Sequence, residues 1–120
     1  AVCLPVVEEK NHSLKFYNWT PNTEMEVGPY KILIPKEKIE PIFPDIILVP
    51  LIAFDTNGYR LGKGGGYYDR TLHELKSIKP IQTIGIASEK QLLPQLPFSN
   101  YDQPLDIVIT EKKIYRFDTR

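Results

Sequence analysis

The chain has 120 residues, 42% of them apolar and 25% charged, and its 15 basic and 15 acidic side chains cancel. Zero net charge argues against broad electrostatic binding of nucleic acid, which needs a basic excess; the single cysteine, Cys3, excludes an intrachain disulfide and suits a reducing, cytoplasmic setting. No apolar run in the sequence is long enough for a membrane span and no signal-peptide pattern is read, so the expectation is one small domain over residues 1–120.

Residues 1–7 are apolar from the first position and read as a strand, with Cys3 a buried, inert thiol. Residues 8–13 are a polar loop carrying a solvated His12. Residues 14–19 are rich in aromatics and predict a second strand. Glu24-Met25-Glu26-Val27-Gly28 suggests a short helix ending at glycine. Residues 36–45, with Pro41 and Pro44, form an extended loop leading into the central strand.

Residues 46–54 are an almost unbroken apolar run bounded by turn residues, the pattern of a strand buried on both faces. Asp55-Thr56-Asn57-Gly58 predicts a turn, with Asn-Gly supplying positive φ. Arg60-Leu61-Gly62-Lys63-Gly64-Gly65-Gly66 follows, and a helix opens near Tyr67. So many glycines cost backbone entropy. What they allow is close approach of bare N–H groups to a ligand, and a glycine loop feeding a helix N-terminus favours an anion. Arg60 and Lys63 add fixed positive charge, the first as a fork for phosphate oxygens and the second as a point charge. A mobile turn with two solvated cations is the competing reading. The loop is neither a Walker A motif nor the dinucleotide fingerprint, because Tyr67 stands where the last glycine of the latter belongs.

In the helix predicted over 67–78, Tyr68, Leu72, Leu75 and Ile78 share a stripe. Asp69 and His73 lie one turn apart on another face, and His73 reads as a surface partner of Asp69. Lys79-Pro80 stops the helix. A buried strand over 81–87, a turn or single helical turn at 88–91, an irregular loop over 92–103 and two last strands at 106–110 and 113–117, which can pair as a hairpin, complete the chain. Strand, glycine loop, helix and strand make a right-handed βαβ crossover with parallel pairing. Ligands in such sheets bind beyond the carboxyl ends of the strands, which places residues 55–69 at one end and lets Asp102 converge there.

The block from Arg60 to Asp69, with Val49-Pro50, Phe54-Asp55 and Gly58, resembles the 5-formyltetrahydrofolate cyclo-ligase (5,10-methenyltetrahydrofolate synthetase) family. Leu4-Pro5-Val6-Val7 and the segment from Asp102 through Asp106 to Thr110 agree with it. The resemblance implies an α/β three-layer sandwich with a mainly parallel central sheet, of which residues 1–120 are the C-terminal part. It implies ATP and Mg2+, the substrate 5-formyltetrahydrofolate, and closure of the folate ring. Arg60, Lys63 and Tyr67 take catalytic roles, Arg60, Leu61, Gly62, Lys63, Gly64, Gly65, Gly66, Tyr67 and Tyr68 line the ATP, and Asp69 and Asp102 take the magnesium. Ile34 stands where the family has Glu. The family's N-terminal segment, with further cations for ATP, is absent from the sequence, so the chain is expected to bind nucleotide but turn over poorly alone. A complementing N-terminal chain, or a homo-oligomer formed through an uncovered sheet edge, is the partner expected.

Overall fold

The computed structural model describes residues 1–97 and 102–117. They form two compact units, 1–44 and 45–120.

In the first unit, β1 (Val2–Val6) pairs antiparallel with β2 (Lys15–Trp19), Leu4 opposite Tyr17. β3 (Met25–Val27) pairs antiparallel with β4 (Leu33–Pro35), Glu26 opposite Ile34. Val6, Tyr17 and Ile34 close over one another as its core. The short helix expected at 24–28 is therefore a strand. Its few residues carry too little local propensity to resist the ladder offered by 33–35, and tertiary pairing overrides it. Ile34 is buried in this core, so its side chain faces the packing and not a ligand. Cys3 is partly buried, and burial raises its thiol pKa, which fits an unreactive thiol.

In the second unit the order is β5 (Ile46–Leu48), β6 (Ala53–Asp55), β7 (Arg60–Leu61), α1 (Tyr67–Ile78), β8 (Gln82–Ile86), β9 (Leu92–Leu93), β10 (Ile107–Ile109) and β11 (Ile114–Arg116). β5, β8 and β10 are parallel, and β11 closes the sheet as an antiparallel hairpin with β10. A second sheet has β6 between antiparallel β7 and parallel β9. The architecture is a mixed α/β fold with mixed sheets. The predicted helix, the strand after it, the single helical turn at Glu89–Gln91 and the final hairpin are all present.

The single strand expected over 46–54 is broken in two. The Val49 amide still donates to the Ile84 carbonyl, but Pro50 has no N–H to continue the ladder, and the chain crosses to the other sheet, where the Ile52 amide donates to Leu61. Apolarity alone did not reveal the break, because both halves are apolar, although β5 is buried on one face only and β6 on both. Ile47, Thr83 and Val108 form a buried face, whereas Ile46, Leu48, Ile86 and Ile109 on the opposite face are exposed. Asp106 holds the sheet's entry: its carboxylate accepts from the Thr83 amide at 2.9 Å and the Asp106 amide donates to the Thr83 hydroxyl at 3.0 Å.

Candidate functional site

The site is built on the path from β6 to α1. Asp55, fully buried, ends β6 and accepts from the amides of Asn57 at 2.9 Å, Tyr59 at 3.0 Å and Leu96 at 2.9 Å. Gly58, at φ 88°, completes the turn and donates to the Asp55 carbonyl at 3.1 Å. This rigid corner aims β7 and the loop after it toward the helix.

Arg60 leaves β7 and folds back. One Nη donates to the Pro50 carbonyl at 3.0 Å and the other lies 3.6 Å from the Asp69 carboxylate, leaving the side chain only 6% exposed. Its guanidinium carbon sits 5.8 Å from the centre of the Tyr68 ring. Burial raises the Tyr68 hydroxyl pKa, and the Arg60 charge opposes that rise. Arg60 thus ties the end of β5 to the first turn of α1, beneath the loop. Lys63 by contrast is exposed on the loop itself.

The loop from 62 to 66 is open at its middle, while a Cβ on Gly62 would meet Arg60 Nη1 at 2.7 Å and one on Gly65 the Tyr67 ring at 2.9 Å. Gly64 has φ 97°, and a Cβ built there meets nothing within 4 Å. Gly66, at φ 69°, is the N-cap of α1 and supplies no side-chain acceptor, so the helix's first amides lack a cap of the usual kind. Tyr67 and Tyr68 open the helix, both half-buried. Leu72 and Leu75 are buried as the stripe required, while Ile78 at its end is exposed.

Asp69 pairs with Arg60 and accepts from the Gln103 amide at 3.2 Å, so the expected partnership with exposed His73 is not what occupies it. The Gln103 bond puts the chain segment that follows Asp102 beside Asp69. Part of the 92–103 loop, residues 98–101, lies outside the described residues.

Arg70 was missed by sequence reasoning. One Nη donates to the Gly65 carbonyl at 2.8 Å and the guanidinium lies 5.4 Å over the Tyr67 ring. The only signal in sequence is its position, four residues after the N-cap glycine, where a side chain can fold back onto the preceding turn. The Arg60 Nε and the Arg70 Nη1 are buried and meet no acceptor among the described residues.

A helix entered through an open glycine loop, with cations on its flanks and no side-chain cap, is the arrangement of anion-binding α/β proteins. The chain belongs to the 5-formyltetrahydrofolate cyclo-ligase family, whose model matches residues 1–111. It is 38% identical over 121 residues to the 5-formyltetrahydrofolate cyclo-ligase of Escherichia coli K12, covering 97% of this chain and 66% of that one. To the Haemophilus influenzae cyclo-ligase it is 39% identical over 114 residues, covering 90% and 60%. The NMR structure of Aquifex aeolicus 5,10-methenyltetrahydrofolate synthetase superimposes with a TM-score of 0.77 at 39% identity, over 96% of this chain and 57% of that one. The Mycoplasma pneumoniae synthetase superimposes with a TM-score of 0.61 at 28% identity, over 89% and 54%. The chain spans about two thirds or less of the length of these proteins.

Proposed function

We propose that the chain carries the nucleotide-binding part of an enzyme that converts 5-formyltetrahydrofolate to 5,10-methenyltetrahydrofolate with ATP. The observation that carries this is the family match over residues 1–111, together with a glycine loop open to solvent at the N-terminus of α1.

In this reading the loop amides of 62–66 and the Lys63 ammonium receive the phosphates of ATP. Arg60 contributes its charge from beneath while it holds Asp69 and the Pro50 carbonyl. Tyr67 and Tyr68 line the nucleotide, with Leu61 leading in. The formyl oxygen on N5 attacks the γ-phosphorus and ADP leaves; N10 then attacks the activated carbon and phosphate departs as the ring closes. Such transfers need positioning and charge neutralisation more than covalent help.

Among the described residues no group of three or more His, Cys, Asp or Glu side chains gathers to hold a metal. Two hard carboxylates, Asp69 and Asp102, suit magnesium whose remaining ligands are phosphate oxygens and water. Magnesium so held would neutralise phosphate charge. Asp69 would share its carboxylate between that ion and Arg60, which orients it.

The exposed apolar face of β5, β8 and β10 supports a further proposal. Parallel strands are ordinarily covered on both faces. We infer that a three-layer sandwich forms when the rest of the family's length covers that face, as a fused segment or a complementing chain. No helix among the described residues is long and apolar enough to cross a membrane, and a cytoplasmic site of action is part of the proposal.

Methenyltetrahydrofolate formation, followed by its absorbance, tests the reading. The expected result is little or no turnover by residues 1–120, restored when the part of the Escherichia coli relative beyond the match is supplied in trans or fused, and lost again in Asp69→Asn. Full turnover by the chain alone would show the extra length to be dispensable. No turnover in any combination, with nucleotide still bound, would favour a non-catalytic binding protein.

A further inference from the structure

We propose that Arg70 is a positioning residue of the glycine loop, which fixes the direction of the Gly66 amide and does not itself touch the nucleotide. The inference rests on the phosphate-binding reading of the loop.

Its placement is locally unfavourable. A cation in the first turn of a helix opposes the macrodipole. The neighbouring carboxylate, Asp69, faces Arg60 at 3.6 Å. Arg70 Nη1 is buried with no acceptor among the described residues, and an unmet buried donor is costly. Conflicts of this kind between a residue and its local setting are expected at functional positions.

What the placement achieves follows from the peptide group. Arg70 Nη2 holds the Gly65 carbonyl at 2.8 Å. The Gly65–Gly66 peptide is planar and trans, as no cis bond occurs among the described residues, so its N–H points opposite to its carbonyl. Binding the carbonyl on the helix side therefore turns the Gly66 amide away from Arg70. A peptide between two glycines has little else to stop it from flipping. The guanidinium also lies over the Tyr67 ring at 5.4 Å, so one side chain fixes both the peptide and the aromatic that follows it. A Cβ at Gly66 would come within 3.2 Å of Arg70 Nη2, which shows how closely the side chain lies against this peptide.

A charge acting directly on phosphate would be served as well by lysine. A fork that must reach a carbonyl while its plane covers a ring would not. The test compares the full chain with Arg70→Ala and Arg70→Lys, by amide NMR without nucleotide and by calorimetry with MgATP. In the nucleotide-free protein both variants are expected to shift and broaden the Gly66 amide resonance while the Asn57 and Tyr59 amides keep their positions. Both are expected to bind MgATP roughly ten- to a hundredfold more weakly, the range for loss of one charge-assisted hydrogen bond. An unchanged Gly66 amide in Arg70→Lys overturns the proposal, and so does wild-type affinity in that variant, which would make Arg70 a simple counter-charge. Should Arg70→Ala not fold, the lysine variant decides by the same readouts. If wild type binds no MgATP, the phosphate-binding reading fails, and the nucleotide-free Gly66 resonance still decides the positioning role.

Discussion

Two glycine-bearing turns lie within a few residues of each other in the second unit, and they are built for opposite ends. At 55–58 everything is closed. Asp55 is fully buried with its acceptors filled, Gly58 donates to Asp55 and accepts from the Leu105 amide at 2.8 Å, and a Cβ on Gly58 would strike the Phe117 ring at 2.9 Å and the Leu105 carbonyl at 3.0 Å. At 62–66 the Gly64 φ is just as positive, yet a Cβ there meets nothing within 4 Å. Glycine in the first turn answers to crowding as well as to dihedral angle. At Gly64 it answers to dihedral angle alone, with open space beside it, whereas Gly62 and Gly65 lie against the Arg60 and Tyr67 side chains. Positive φ therefore does not mark a binding loop by itself; in the proposed reading it is positive φ beside open space, at an uncapped helix N-terminus, that does.

The strongest way to break this comparison is Asp55→Ala. It strands the amides of Asn57, Tyr59 and Leu96, and unfolding stability should fall by about 3–5 kcal/mol in denaturant melts, several unmet donors at once. A smaller loss would mean that water replaces the carboxylate and the corner is not rigid. Gly58→Ala comes next, at about 2–4 kcal/mol, because strain in the left-handed region adds to overpacking against Phe117.

On the open side, Lys63→Ala should leave the melting temperature unchanged and weaken MgATP by about 1.5–3 kcal/mol, the range for charged hydrogen bonds. Equal affinities by calorimetry would remove Lys63 from the site. Gly64→Ala should cost only about 1–2 kcal/mol of stability, the dihedral penalty without a clash. If its cost matched that of Gly58→Ala, the two turns would not differ as described.

The smallest effect is one of pH. Tyr115 lies edge-on to Phe54 at 5.4 Å and stacks on Phe117 at 6.4 Å, the ring beside Gly58. Its hydrogen bond to Glu89, with burial and nearby carboxylates, pushes its hydroxyl from 10.0 to about 12. The folded state thus keeps a proton that the unfolded chain gives up. This contribution is full below pH 10.0 and is lost as the pH rises toward about 12. In alkaline melts Tyr115→Phe should flatten that decline; Tyr17, pushed to about 12 by burial and then by Glu8, keeps part of it.

Much of the second unit was legible because its signals are local. Asn57-Gly58, the glycine run and Lys79-Pro80 each act on their own backbone, and α1 begins and ends where they require. The break at Pro50 was not read from the sequence, because the apolar run around it has the pattern of a single strand. The strand at Met25–Val27 and the pairing of Asp69 with Arg60 depend on partners across a turn or a loop, which periodicity does not encode. The inward turn of Arg60 and the capture of the Gly65 carbonyl by Arg70 are rotamer choices, and composition says only that cations are near.

Amide NMR of the 15N-labelled chain during a MgATP titration tests the central claim most directly. Saturable shifts centred on the amides of 62–66, with those of 55–58 unmoved, are the predicted result. A titration that leaves 62–66 unmoved, or that shifts 55–58 more strongly, would contradict the assignment of the open turn as the phosphate site.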